Sequence, residues 1–311
     1  GAPLLVGSDV PATAWLYLYF GIIAAVGLAI DTVRRWAWVS VLSVVLAYVM
    51  GTLTYLGGVT VELWLGFQLF GLGVAVLAIL IPARSLWPDH PAPTLTEAAL
   101  TQGRSLPVFP TWLAAGATLA AALVMGVVAR DFSEAFWPAM VGLTILAPAL
   151  TVWSVRGPGL QELAVLPVIV LLGLVVEQGV DRGAVWRAFA DAYAENTEAD
   201  FPLAVTVLWG LGMALSALAA GRALRAGHGR AWALAAALIA PTMAIALEMT
   251  WAPADTIGAY PWALHAIAMA AAMVGLATRF AAVDGADRLR ASVFILSALA
   301  SITFALVLIL S

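Results

Sequence analysis

The chain has no cysteine, no lysine and only three histidines in 311 residues, and Asp, Glu, Lys and Arg together make up just 10% of it. Without cysteine there are no disulfides, thiolate metal sites, iron–sulfur clusters or cysteine nucleophiles. The scarcity of charge excludes an ordinary soluble domain, in which about a quarter of residues are charged. What is present instead is apolar: 63% of residues are hydrophobic and the mean hydropathy is +1.01. Each bilayer crossing takes about 20 such residues, so this length holds at most about ten spans and no large extramembrane domain.

Runs of that length, broken by charge, glycine or proline, predict ten helices at 14–30, 37–56, 61–81, 112–129, 136–153, 160–176, 203–220, 231–249, 262–280 and 291–310. They are apolar all round, which excludes barrel strands with alternating faces. The expected fold is a single all-α domain, a polytopic transmembrane bundle. All fourteen basic residues are arginines, and the ten-span order sorts them unevenly. Eleven fall at one set of helix ends (34, 35, 84, 104, 156, 222, 225, 230, 279, 288 and 290), and three at the other (130, 182 and 187). Positive charge stays cytoplasmic, so the sorting predicts both termini outside and a multi-pass protein of a bacterial inner membrane.

Two connections are long. The segment 82–110 holds Thr94-Leu95-Thr96-Glu97, readable as the start of a short surface helix. In 177–202, Trp186, Phe189 and Tyr193 fall at i, i+3 and i+7, so they predict an amphipathic helix lying in the outer interface, with Asp181 as its cap. An interfacial connector is favoured over a lid.

Ionisable groups inside spans are functional candidates because they are expensive to bury. Asp31 can pair with Arg34 or Arg35, and Glu162 sits where a helix start favours an anion; both read as structural end-groups. Glu62 and Gln68 lie on the third helix. Glu248 and His265 form the best pair, since one closes the eighth helix and the other opens the ninth, and a carboxylate beside an imidazole suits proton transfer. Water at the surrounding aromatic belt makes an ordinary hydrogen bond the plainer alternative. His90 and His228 are too far away to complete a metal site, so neither metal nor cofactor is expected.

Pro148, Pro167 and Pro241 each fall near the middle of a predicted helix, where proline removes one backbone hydrogen bond. Three kinks lining a cavity would suit a transporter, although neighbours or water repair such breaks in many membrane helices. Gly71-x-Gly73 and Gly210-x-Gly212 read as close helix contacts rather than phosphate turns. There is no serine elbow, no internal repeat, and no basic, aromatic-interleaved surface for nucleic acid. The expected partners are membrane lipid and other membrane subunits or the rest of the same chain.

The opening Gly1-Ala2-Pro3-Leu4-Leu5-Val6-Gly7-Ser8, the Arg34-Arg35-Trp36 turn and a second helix ending near Gly51-Thr52-Leu53 resemble the bacterial polytopic membrane proteins of domain-of-unknown-function family 2339. The resemblance covers roughly the first sixty positions. It implies an array of hydrophobic helices and, with no initiator methionine, an internal fragment of a longer chain. That family has no agreed activity, so the resemblance carries over no catalytic residue. Three readings stay open: a scaffold or envelope-associated bundle, a transporter or lipid-handling protein, and an enzyme acting on a lipid-linked substrate at the outer face.

Overall fold

The computed structural model describes residues 13–58, 60–84, 86, 94–100, 109–181, 203–225 and 229–310. Among them are ten helices long and apolar enough to cross a bilayer, and no strand. The chain is an all-α polytopic membrane bundle. The interfacial stripe of Trp186, Phe189 and Tyr193 lies outside the described residues. Asp181, expected to cap that segment, is the last residue of the preceding helix, and the helix it would cap lies outside the described residues.

Helices α1 (Trp15–Arg34), α2 (Ala37–Leu56) and α3 (Val61–Ala83) match the expected spans closely. The short surface helix α4 (Leu95–Leu100) forms where Thr94 predicted it, and the Thr94 hydroxyl accepts the Glu97 N–H at 3.2 Å. Then come α5 (Phe109–Asp131) and α6 (Phe136–Trp153), followed by a partly buried connection through one 3₁₀ turn at Pro158–Leu160. Beyond it lie α7 (Val165–Asp181), α8 (Leu203–Arg225), α9 (Arg230–Trp251), the one-turn α10 (Pro253–Ile257), α11 (Ala259–Asp284) and α12 (Leu289–Leu310).

Two compact units, Gly1–Leu171 and Leu172–Ser311, divide the chain within α7. In the first, α3 is central and touches α1, α2, α5 and α6. A bilayer offers no hydrophobic drive to join helices, so close packing of small side chains and a few hydrogen bonds must do it. Ala24, Ala47, Ala75, Ala78, Ala117 and Ala121 are accordingly buried, whereas Leu18, Ile22, Leu69 and Ile145 face outward. The Tyr48 hydroxyl donates to the carbonyls of Gly71 at 2.9 Å and Ala117 at 3.1 Å, joining three helices deep in the span. At the arginine-poor end, Phe67 is stacked between Tyr17 and Tyr55, with centroids 5.7 and 5.1 Å away.

In the second unit, α9 packs against α8, α11 and α12, and α11 pairs with α12 over most of its length. Gly212 brings α8 onto α9, where a Cβ would stand 2.9 Å from Met243; Gly71 approaches α5 similarly. Gly73 and Gly210 face open space, so only one glycine of each pair serves the expected contact. The arginine-rich end is tied by ion pairs. Arg290 holds Asp284 with two nitrogens, donates to the Ala223 carbonyl at 2.8 Å and lies 4.8 Å over the Phe280 ring. Arg230 meets Asp287 at 3.0 Å.

Candidate functional site

Glu248 and His265 both stand at the arginine-poor end of the second unit, as the hairpin predicted, but they have separate partners. Glu248, three residues before the end of α9, directs Oε2 at the Ala254 N–H, 3.3 Å away. Ala254 is the second residue of α10, whose N-cap residue Ala252 offers no side-chain acceptor, so the carboxylate takes over the capping task. His265 turns back along α11, where its Nδ1 lies 2.7 Å from the Pro261 carbonyl. To donate there Nδ1 carries hydrogen, which leaves Nε2 as the acceptor of the neutral ring.

Tryptophans surround this imidazole. The Trp209 ring meets it edge-on at 4.9 Å and Trp262 lies tilted at 5.7 Å. Trp262 also lies against the Glu248 carboxylate, yet its Nε1–H is not aligned on any acceptor. Nearby, Trp251 is satisfied by the Val175 carbonyl at 2.8 Å, and α7 approaches α9 so closely that a Cβ on Gly179 would run into Thr250. The cluster is therefore a belt of indoles around two polar groups, each engaged with backbone. No direct hydrogen bond joins the Glu248 carboxylate to the His265 imidazole.

The prolines divide differently from expectation. Pro167 is not mid-helix: Gly157-Pro158-Gly159 delays the helix to Val165, and Pro167 falls in the first turn of α7, where its missing N–H would have had no helical partner anyway. Pro148 and Pro241 do lie inside α6 and α9.

At Pro241 the break is repaired. Proline cannot donate to the carbonyl of residue 237, and that carbonyl instead accepts the Ser297 hydroxyl of α12 at 2.7 Å. The preceding Ala240 N–H, in turn, donates to Ser216 Oγ of α8 at 3.0 Å. Two serines from flanking helices stitch the interrupted helix, which is the repair that a bilayer requires. Neither serine stands out in the sequence, because a lone serine in an apolar run carries no signal of what lies 24 or 60 residues away.

Other polar residues also took different partners. The Asp31 carboxylate accepts from Ser40 at 2.7 Å rather than from Arg34 or Arg35. Glu162 lies in the turns before α7 and accepts the Thr96 N–H at 2.8 Å, so it steadies α4 rather than its own helix. Gln68 is buried, with Nε2 donating to the Ala135 carbonyl at 3.3 Å and Oε1 left without a partner. A Tyr55 to Asp131 hydrogen bond of 2.6 Å closes the aromatic stack of the first unit. Among the described residues no three His, Asp or Glu side chains stand together as metal ligands.

No protein-family model, curated protein or solved structure matches the chain.

The first unit also carries a groove of about 430 Å³ between α1 and α3. It is lined by aliphatic and aromatic side chains, Tyr17 among them, and by glycines, and none of Pro148, Pro167 or Pro241 borders it.

Proposed function

We propose that this chain is a membrane scaffold, a helical bundle of a bacterial inner membrane that holds other membrane components rather than moving or converting a solute. The observation that carries the reading is the repair at Pro241. A transporter's broken helix presents free carbonyls to an ion or substrate, and here the freed Ala237 carbonyl is taken by Ser297. Glu248 Oε2 and His265 Nδ1 likewise each engage a backbone group.

The test is flux. Reconstituted into liposomes loaded with a pH-sensitive dye, the chain should leave an imposed proton gradient to decay as slowly as in protein-free vesicles. Faster decay that Glu248→Gln or His265→Ala abolishes would replace the scaffold by a proton-coupled transporter.

A further inference from the structure

At the arginine-poor end of the second unit, four polar atoms around one imidazole have no partner among the described residues. Two are donors. The Nε1–H groups of Trp209 and Trp262 are shut off from solvent and reach no acceptor. Both rings lie against His265, with centroids 4.9 and 5.7 Å away, and Trp262 also lies against the Glu248 carboxylate. The other two are acceptors, each the second atom of a group already half engaged. Glu248 commits Oε2 to the Ala254 N–H and leaves Oε1 over. His265 commits Nδ1 to the Pro261 carbonyl and leaves the lone pair of Nε2 over.

Buried donors are rarely left unmade, so two orphan indoles beside two open acceptors call for an occupant. The four atoms select its chemistry. A metal cation has no lone pair to offer the indole N–H groups, and a fully ionised anion has no hydrogen to offer the carboxylate. A lipid head group carries both, but Trp262 is only 1% exposed and closed to anything of that size. Water has two hydrogens for the two acceptors and two lone pairs for the two donors, and a buried water ordinarily makes about three such bonds.

We infer that one ordered water is bound between Trp209, Glu248, Trp262 and His265, accepting from the two indoles and donating to Glu248 Oε1 and His265 Nε2. The carboxylate and the imidazole, which share no direct hydrogen bond, are joined through it, and it ties α8, α9 and α11 together at this end. The link is confined to one end of the unit, so it neither needs nor excludes the scaffold reading.

The experiment uses the full chain in lipid nanodiscs with isotope-labelled indoles, whose resonances are assigned by Trp209→Phe, Trp251→Phe and Trp262→Phe. A rotating-frame Overhauser measurement separates a water held beside an indole proton from simple exchange with solvent, because the two give cross-peaks of opposite sign. Trp209 and Trp262 should each show the bound-water peak. Trp251, whose Nε1–H donates to the Val175 carbonyl, should not. His265→Phe keeps a ring between the indoles but removes the Nε2 acceptor, so both peaks should be lost while the Trp251 resonance stays in place. Glu248→Gln can still accept the Ala254 N–H through its amide oxygen but turns a donor toward the water, and it should weaken the same two peaks. Absence of the bound-water peak at either indole overturns the inference; an upfield Trp209 proton would then place that N–H on the imidazole face. Survival of both peaks at full strength in both variants overturns it too, since the water would touch neither Glu248 nor His265.

Discussion

Replacing Ser297 by alanine removes the hydroxyl that meets the Ala237 carbonyl at 2.7 Å and leaves that carbonyl with no donor in a buried, apolar setting. A hydrogen bond of this kind is worth about 0.5–1.5 kcal/mol net, and interhelical bonds in membrane proteins average about 0.6 kcal/mol with a maximum near 1.7. An orphaned carbonyl adds desolvation cost, so Ser297→Ala should destabilise the fold by about 1–2 kcal/mol. The Ser301 hydroxyl bonds the Ser297 carbonyl, a backbone group, and that contact survives. The decisive variant is Pro241→Ala. It restores an N–H at residue 241, and the helical partner of that N–H is the same Ala237 carbonyl. In that background Ser297→Ala should cost no more than about 0.5 kcal/mol, a coupling of about 1 kcal/mol in a double-mutant cycle. Unfolding in mixed micelles, followed by helical circular dichroism as the denaturing detergent fraction rises, measures all four proteins. An equal cost of Ser297→Ala with and without Pro241 would refute the claim that serine repairs the proline break.

Further outcomes follow from the same bonds. Arg290→Met should destabilise the second unit by roughly 2–3 kcal/mol in the same assay, because Asp284 is left largely buried without its partner, whereas exposed Arg288→Met should change little. Gly212→Leu should lower the thermal midpoint in detergent by driving a side chain into Met243, while Gly210→Leu, which faces open space, should be tolerated. Asp287 is exposed, and its carboxyl is held below the usual carboxylate range by the Leu289 N–H and the Arg230 guanidinium. Its folded pKa is depressed, so the stability it contributes is present above the unfolded value of about 3.9 and is lost as pH falls through the folded one. Asp287→Asn should therefore flatten the acid limb of a melting-temperature profile below about pH 4.

The candidate site shows where a single sequence stops being legible. Glu248 and His265 were found because ionisable residues are rare in these spans, and the structure does place both at the same end of the second unit. Their partners were not legible, because the hairpin turn sets side-chain direction. Ala252 adopts a left-handed conformation with φ of 45°, α10 starts at once, and its open N-terminus draws the carboxylate away from the imidazole. Pro167 was misplaced for a related reason. Hydropathy continues from the 3₁₀ turn at Pro158–Leu160, whose Leu160 is buried, so the run looked like one helix from residue 160.

The ten spans were determined by sequence alone, since the bilayer imposes one requirement on every crossing: about 20 apolar residues with backbone groups bonded internally. Composition meets that requirement locally, with no reference to any other helix, and α2 and α6 accordingly match the expected limits to the residue. Which face of each helix turns inward was decided only by tertiary structure. In water a polar face would mark the outside, but here both faces are apolar and lipid is as good a solvent for leucine as a neighbouring helix is. Size and hydrogen bonding choose instead: alanines, glycines and serines such as Ala240, Gly212 and Ser297 go inward, and Leu234, Leu238 and Leu296 go to lipid. Partners 60 residues apart, as Ser297 and Ala237 are, meet only once those faces have been chosen.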